Sequence, residues 1–124
     1  MTVKVVDASA VAALIFGEPD AADIAARLRG SVLVAPNLLP FEIASVCLKK
    51  LRRHPVQQET LLAAHRLFGR MDISQTEVDQ TEVVILAEQT GLTSYDACYL
   101  WLARRLQAEL VTLNKQLART AIEV

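Results

Sequence analysis

Residues 3–16, VKVVDASAVAALIF, decide the fold, because a short β-branched run passes directly into a run of helix formers. Val3, Val5 and Val6 favour a strand, and the alanine-rich run after Asp7 favours a helix. A strand followed at once by a helix is the first half of a βα crossover, which joins parallel strands. Asp7 therefore stands where a strand ends and a helix begins.

The same alternation continues along the chain, with glycine and proline at most boundaries. We expect helices at residues 8–16, 20–29, 38–53, 57–70, 76–90, 94–107 and 114–119, and strands at 3–6, 32–35 (ended by Pro36) and 110–113. The patterns at 71–73 and 121–124 allow two more short strands. Short strands alternating with longer helices predict an α/β fold with a parallel sheet covered on both faces, a three-layer α/β/α sandwich.

Composition narrows the class of protein. The 124 residues fit one domain, 1–124, and 13 Lys and Arg against 14 Asp and Glu give a formal net charge of −1. This balance argues against a free-standing basic nucleic-acid binder. Cys47 and Cys98 are too few for a disulfide scaffold and are expected to be buried. Because the N-terminal sequence lacks the apolar segment of a signal peptide and no run approaches ~18 apolar residues, we expect a soluble cytoplasmic protein without a membrane partner.

Three carboxylates, Asp7, Glu42 and Asp96, stand among apolar neighbours, whereas the other acidic residues fall in first helical turns or polar stretches. Asp7 follows a strand, and ligands of parallel sheets bind outside the carboxyl ends of strands. A purely structural role as N-cap fits its position equally well. Asp96 carries the same two interpretations, because Thr93 to Asp96 matches a capping box. Asn114, at the junction after strand 110–113, is also a favourable N-cap.

Glu42 begins the long helix at 38–53. At 100° per residue, Glu42, Ser45, Lys49 and Arg52 share one face. The opposite face is apolar and is expected to be buried; it consists of Ile43, Ala44, Cys47, Leu48 and Leu51. The helix thus presents an acid followed by cations, which surface ion pairs alone could also explain.

If these three carboxylates converge, each ionised pair repels by roughly 3 kcal/mol at ~5 Å and an effective dielectric of ~20. A cation must then be present, or one carboxyl group keeps its proton. Oxygen ligands without a His or Cys cluster favour Mg²⁺ or Mn²⁺ over zinc, and His54 and His65 lack ligand spacing. Acidic sites with one or two such ions commonly serve phosphoryl-transfer chemistry.

Four segments resemble, in order and spacing, the motifs of PIN-domain nucleases, and in particular those of the VapC-type toxins of toxin–antitoxin pairs. They are VVDASA at 5–10, APNLLPFE at 35–42, SYDACYLWLA at 94–103 and LVTLN at 110–114. The resemblance implies an α/β/α sandwich and a Mg²⁺- or Mn²⁺-dependent endoribonuclease that uses metal-activated water. It implies a catalytic set of Asp7, Glu42, Asp96 and Asn114, in which Asp7 and Asp96 are the principal metal ligands and Glu42 completes the metal site.

The resemblance also implies support for the first carboxylate by Ser9 and Thr112. The cations beside the site, Lys49, Lys50, Arg52 and Arg53, suggest an RNA track, of which Lys49, Arg52 and Arg53 are taken as the RNA-binding residues. The partners implied are the RNA substrate, an antitoxin whose segment lies in an apolar groove over the site, and a second copy of the chain, packed through the apolar 99–106 region or its neighbours.

One position departs from the family pattern, because Asn114 stands where the family usually has aspartate. An amide can bind metal or water through its oxygen but carries no charge. The number of metal ions, one or two, therefore stays open. A catalytically weak or inactive PIN-like domain that binds RNA or a partner is the alternative interpretation. A phosphoacceptor domain, with Lys115 as its lysine, is a third.

Overall fold

The computed structural model describes residues 2–123 and contains one four-stranded parallel sheet of order β3-β2-β1-β4. The strands are β1 (Thr2–Val6), β2 (Ser31–Pro36), β3 (Ile73–Thr76) and β4 (Glu109–Val111). The helices are α1 (Ala8–Ile15), α2 (Ala21–Leu28), α3 (Leu39–Arg53), α4 (Gln58–Leu67), α5 (Gln80–Thr90), α6 (Ser94–Leu106) and α7 (Lys115–Ile122). The predicted α/β fold with a parallel sheet is confirmed.

The core lies on both faces of β1. Val5 and Val6 are neighbours and therefore point to opposite faces of the sheet, yet neither is exposed. On the helices, Val11, Ile43 and Leu100 are likewise buried in the same cluster. Burial of consecutive strand residues requires a layer of helices on each side of the sheet.

Two predicted boundaries around β3 are wrong. The helix expected at 76–90 begins only at Gln80, and the strand expected at 71–73 lies at Ile73–Thr76, paired with Leu33–Pro36 of β2. The side chain of Asp79 caps α5 by accepting a hydrogen bond from the Glu82 amide at 3.0 Å. β3 is an edge strand whose last three residues are exposed, so it lacks the apolar pattern by which strands are recognised.

Other differences are at element ends. The strand expected at 121–124 is wrong, because residues 121 and 122 complete α7, and Val124 lies outside the described residues. Pro36 does not end β2 early but is its last residue, paired with Thr76 of β3. The helix expected at 57–70 is α4 followed by a 3₁₀ turn at Phe68–Arg70. No helix within residues 2–123 is long and apolar enough to cross a membrane.

The carboxyl edge of the sheet collects the polar junctions. Because the strands are parallel, Asp7 after β1, Asn37 after β2 and Thr112 after β4 lie at the same edge. The Asp7 amide donates to the Val111 carbonyl at 3.3 Å, which joins the ends of β1 and β4. Helices α1, α3 and α7 begin near this edge and carry their first-turn side chains to it.

Candidate active site

Asp7 is both an N-cap and a buried carboxylate, so each sequence interpretation describes a part of its geometry. Its Oδ1 accepts hydrogen bonds from the Ala10 amide at 3.1 Å and the Ser9 hydroxyl at 2.7 Å. Its Oδ2 accepts a hydrogen bond from the Thr112 hydroxyl at 2.5 Å. Only 5% of Asp7 is exposed. These three donors fix the orientation of the carboxylate and add no charge to it.

The two hydroxyls that hold Asp7 are themselves held by the backbone after β4. The Leu113 amide donates to Ser9 Oγ at 2.9 Å, and the Asn114 amide donates to Thr112 Oγ1 at 3.0 Å. Since each hydroxyl accepts a backbone hydrogen bond, its single proton is directed to Asp7. The structure therefore places both expected supporting residues against this carboxylate.

Glu42 lies in the first turn of α3 and is bound from α6. The Tyr99 hydroxyl donates to Glu42 Oε1 at 2.6 Å, and Tyr99 itself is only 1% exposed. The sequence prediction missed this contact, because it assigned Tyr99 to an interface between two copies. The available signal was spacing, since Asp96 and Tyr99 are three residues apart on one face of α6.

Asp96 lies in the first turn of α6, where Thr93 is the N-cap and accepts a hydrogen bond from the Asp96 amide at 3.1 Å. Asn114 reaches this carboxylate from the start of α7. Its Nδ2 donates to Asp96 Oδ2 at 3.3 Å, while its Oδ1 accepts from the Leu117 amide at 3.0 Å and caps α7. Asn114 therefore supplies the site with a neutral donor, and its amide oxygen is engaged in capping.

Asp7, Glu42 and Asp96 form what we call the acidic site. Burial is the main cause that raises the pKa of each carboxyl group above its ordinary value. The charge of Asp7 further raises the pKa of Glu42 and Asp96, and that of Asp96 raises the pKa of Glu42, so the three lie within electrostatic reach of one another. Within residues 2–123, no cationic side chain forms a salt bridge with any of them.

Partial positive charge does reach the acidic site from helix ends. Asp7 caps α1, and Glu42 and Asp96 lie in the first turns of α3 and α6. Aligned peptide dipoles make each of these N-termini equivalent to about half a positive charge. Three helix termini therefore favour ionised carboxylates at a place where burial and mutual repulsion oppose them.

The donor chemistry of the acidic site suits a hard cation. Its charged groups are carboxylates, and such oxygen sets bind Mg²⁺ or Mn²⁺ in preference to softer metals. The pKa of the nearby Cys98 thiol is raised by burial and by the charge of Glu42, which keeps it protonated and a poor ligand. In the described part of the chain, no group of three or more His, Cys, Asp or Glu side chains is already arranged to hold a metal ion.

The cations of α3 divide into two groups. Lys49 is exposed and lines, with Glu42 and Ser45, a surface depression of about 450 Å³. Arg52 and Arg53 are exposed further along the helix. Lys50, by contrast, forms an ion pair with Glu18 at 3.0 Å and lies 5.1 Å from the centre of the Phe16 ring. Within the described residues, Lys49, Arg52 and Arg53 form no ion pair and can therefore meet a polyanion, whereas Lys50 is already paired.

The expected buried face of α3 is partly wrong. Ile43 and Cys47 are buried, but Ala44 and Leu48 are exposed. The reason is that α3 packs on α1 and α4 only along a narrow stripe, so the neighbouring apolar positions remain at the surface.

Comparisons with known proteins agree with this architecture. The family model described as "PIN domain" matches residues 4–123. A protein of Pyrobaculum aerophilum named Ribonuclease VapC3 is 31% identical over 120 residues, which are 92% of this chain and 91% of that protein. The crystal structure of PAE2754 from the same organism superposes with a TM-score of 0.75 at 26% identity, covering 94% of this chain and 82% of that one. The protein described here therefore belongs to the PIN-domain family.

Proposed function

We propose that this chain is a metal-dependent endoribonuclease, the toxin of a type II toxin–antitoxin pair, that hydrolyses RNA phosphodiester bonds at the acidic site. The observation that carries the proposal is the convergence of Asp7, Glu42 and Asp96, which repel one another and are oriented by neutral donors instead of cations. The name of the 31% identical relative, Ribonuclease VapC3, supports the same activity and the same class of toxin.

The proposed cofactor is Mg²⁺ or Mn²⁺. When bound, such an ion lowers the pKa of a water molecule, and it offsets negative charge on the phosphate in the transition state. Asp7 and Asp96 are proposed as its principal ligands. Glu42 completes the set and orients the attacking water through Oε2, because its Oε1 accepts the hydrogen bond from Tyr99.

The cations of α3 are proposed to hold the RNA backbone. At 1.5 Å rise per residue, Lys49 lies about 10 Å along the helix from Glu42, and Arg52 and Arg53 lie about 15 Å along it. All three are exposed. A local track of this kind explains how a chain of net charge −1 can bind a polyanion.

Replacing Lys49 by alanine is expected to weaken RNA binding about fivefold, or about 1 kcal/mol, and to leave kcat unchanged. The slope of log K against log salt, which is negative, should become less steep by about 0.7, because one contact to a single-stranded phosphate is lost. Fluorescence titration of a labelled RNA at several salt concentrations measures both. Arg29→Ala is the matched control, because Arg29 is exposed just before β2, at the opposite edge of the sheet. An unchanged salt slope for the Lys49 variant would remove that residue from the track.

Asn114 favours one alternative function, a PIN-like domain that binds RNA or a protein without cleaving. Its amide adds no charge, and its oxygen already caps α7. The two functions are separated by incubating purified protein and a mixed RNA pool with Mn²⁺ or Mg²⁺. The nuclease proposal expects cleavage that EDTA and Asp96→Asn both abolish. RNA binding without any such cleavage would instead support the alternative.

The partner proteins are proposed from the family. An antitoxin segment is proposed to occupy an apolar depression of about 340 Å³ beside the acidic site, lined in part by Leu38, Val83 and Val84.

A homodimer is also proposed, to be checked by sedimentation equilibrium. It is proposed to pack through the apolar 99–106 region or its neighbours; four of the eight residues of that region are buried in the chain's own core. Val84 and Ile85 of the neighbouring helix are the exposed apolar candidates. A cytoplasmic location is proposed together with this function, because the RNA substrate is proposed to be met there.

A further inference from the structure

Tyr99 connects the protein core to the acidic site. Its ring is packed among core residues and is 1% exposed, while its hydroxyl donates to Glu42 Oε1 at 2.6 Å. Asp96 lies one helical turn earlier on α6. One face of a single helix therefore carries one carboxylate of the site and the hydroxyl that orients another, which comes from α3.

The acceptor that Tyr99 uses distinguishes it from an ordinary core tyrosine. A buried tyrosine hydroxyl needs some hydrogen-bond partner, and a backbone carbonyl would satisfy it. Here the acceptor is a carboxylate of the acidic site, and 2.6 Å lies in the range of hydrogen bonds strengthened by charge. A hydroxyl orients Glu42 and leaves its negative charge in place, whereas a lysine or arginine at the same position would neutralise that charge.

We infer that Tyr99 is a positioning residue of the acidic site, which holds Glu42 in the orientation needed to complete the binding of a divalent cation and to direct the attacking water. The nuclease part of this inference rests on the proposed function. Tyr99 itself does not reach the cation or the RNA and acts through Glu42. Partners of this kind, behind a metal ligand, typically change metal affinity or activity by about 10–100-fold when they are removed.

Tyr99→Phe tests the inference, with Tyr95→Phe as the matched control. Tyr95 lies one turn earlier on α6, is 64% exposed, and its hydroxyl forms no hydrogen bond within residues 2–123. Calorimetric titration with Mn²⁺, without RNA, should show affinity reduced about tenfold in Tyr99→Phe and unchanged in Tyr95→Phe. Steady-state cleavage should show a similar loss in kcat with an unchanged KM for RNA.

The Glu42→Gln background decides whether Tyr99 acts through that carboxylate. Tyr99→Phe should cause no further loss of Mn²⁺ affinity when Glu42 is already replaced. An equal loss in both backgrounds, or a loss that follows the melting temperature alone, would overturn the inference and make Tyr99 a core residue only. If the wild type binds Mn²⁺ but cleaves no RNA, the proposed function fails while the Mn²⁺ titrations still judge Tyr99. Absence of any Mn²⁺ binding by the wild type would overturn both.

Discussion

Replacing Asp7 by asparagine is expected to lower the rate of RNA cleavage by about three orders of magnitude, or about 4 kcal/mol of transition-state stabilisation, and to raise the melting temperature of the metal-free protein. Activity falls because a principal metal ligand loses its charge. Stability rises because asparagine can still cap α1 through Oδ1, while its Nδ2 can donate to Thr112. The substitution therefore removes a buried charge and preserves the fold.

The gain in stability should depend on pH in a defined direction. Burial raises the pKa of Asp7 above its ordinary value of 3.8, so the folded state binds its proton more tightly than the unfolded state does. The free energy of unfolding of the wild type thus falls as pH rises through the folded pKa. The advantage of Asp7→Asn is full above that pKa and disappears below the ordinary value. The opposite contribution of Glu109, whose pKa is lowered by its hydrogen bond from Arg27, is common to both proteins and cancels.

Thermal melts in EDTA across this pH range, with and without added Mn²⁺, measure the effect. Mn²⁺ should stabilise the wild type and leave Asp7→Asn nearly unchanged, since a ligand stabilises only the state that binds it. Asp72→Asn, at an exposed position away from the acidic site, is the control. A lower melting temperature for metal-free Asp7→Asn at neutral pH would show that its charge stabilises the fold, contrary to this account.

Asn114→Asp is expected to have the opposite pair of effects. Aspartate is as good an N-cap as asparagine, so α7 keeps its cap. The donor to Asp96 becomes an anion in the same place, which should destabilise the metal-free protein by about 1 kcal/mol. With metal bound, the added charge should tighten Mg²⁺ binding about tenfold and increase cleavage.

Calorimetric titration with Mg²⁺ and thermal melts in EDTA measure these changes. Gln116→Glu adds the same charge to an exposed position of α7 and should leave Mg²⁺ binding unchanged without destabilising the metal-free protein, since the helix dipole favours an acid in this first turn. Equal or weaker Mg²⁺ binding by Asn114→Asp would mean that the site is adapted to a neutral donor at this position. In that case, the asparagine at position 114 could not be the cause of a weak nuclease activity.

The fold and the three carboxylates could be predicted because their signals are local. The strand-to-helix passage at 3–16 and the apolar neighbours of Asp7 and Asp96 are visible within a few residues. Capping by Asp7 and Asn114 was also foreseeable, since both follow strands and precede helices. The structure adds that each of these side chains does both: Asp7 caps α1 and belongs to the acidic site, and Asn114 caps α7 and donates to Asp96.

Among the contacts that orient the site, support of Asp7 by Thr112 was expected only from the family resemblance, and the contact of Tyr99 with Glu42 was not predicted, because both contacts join distant parts of the chain. Tyr99 and Glu42 are 57 positions apart, and Thr112 and Asp7 are 105 apart. No periodicity within a helix or strand reports on such pairs. The ion pair between Lys50 and Glu18, which engages one of the four cations expected beside the site, is of the same kind. For the edge strand β3, the missing information was burial, because its exposed polar residues resemble a loop.

The nature of the RNA ends after cleavage tests the central claim most directly. Purified wild-type protein with Mn²⁺ should produce a non-cyclic phosphate at the end of one product and a hydroxyl at the end of the other, because water is the proposed nucleophile. This cleavage should disappear with EDTA and with Asp96→Asn. Ends bearing a 2′,3′-cyclic phosphate, or cleavage that persists in EDTA, would contradict hydrolysis at a metal-binding acidic site.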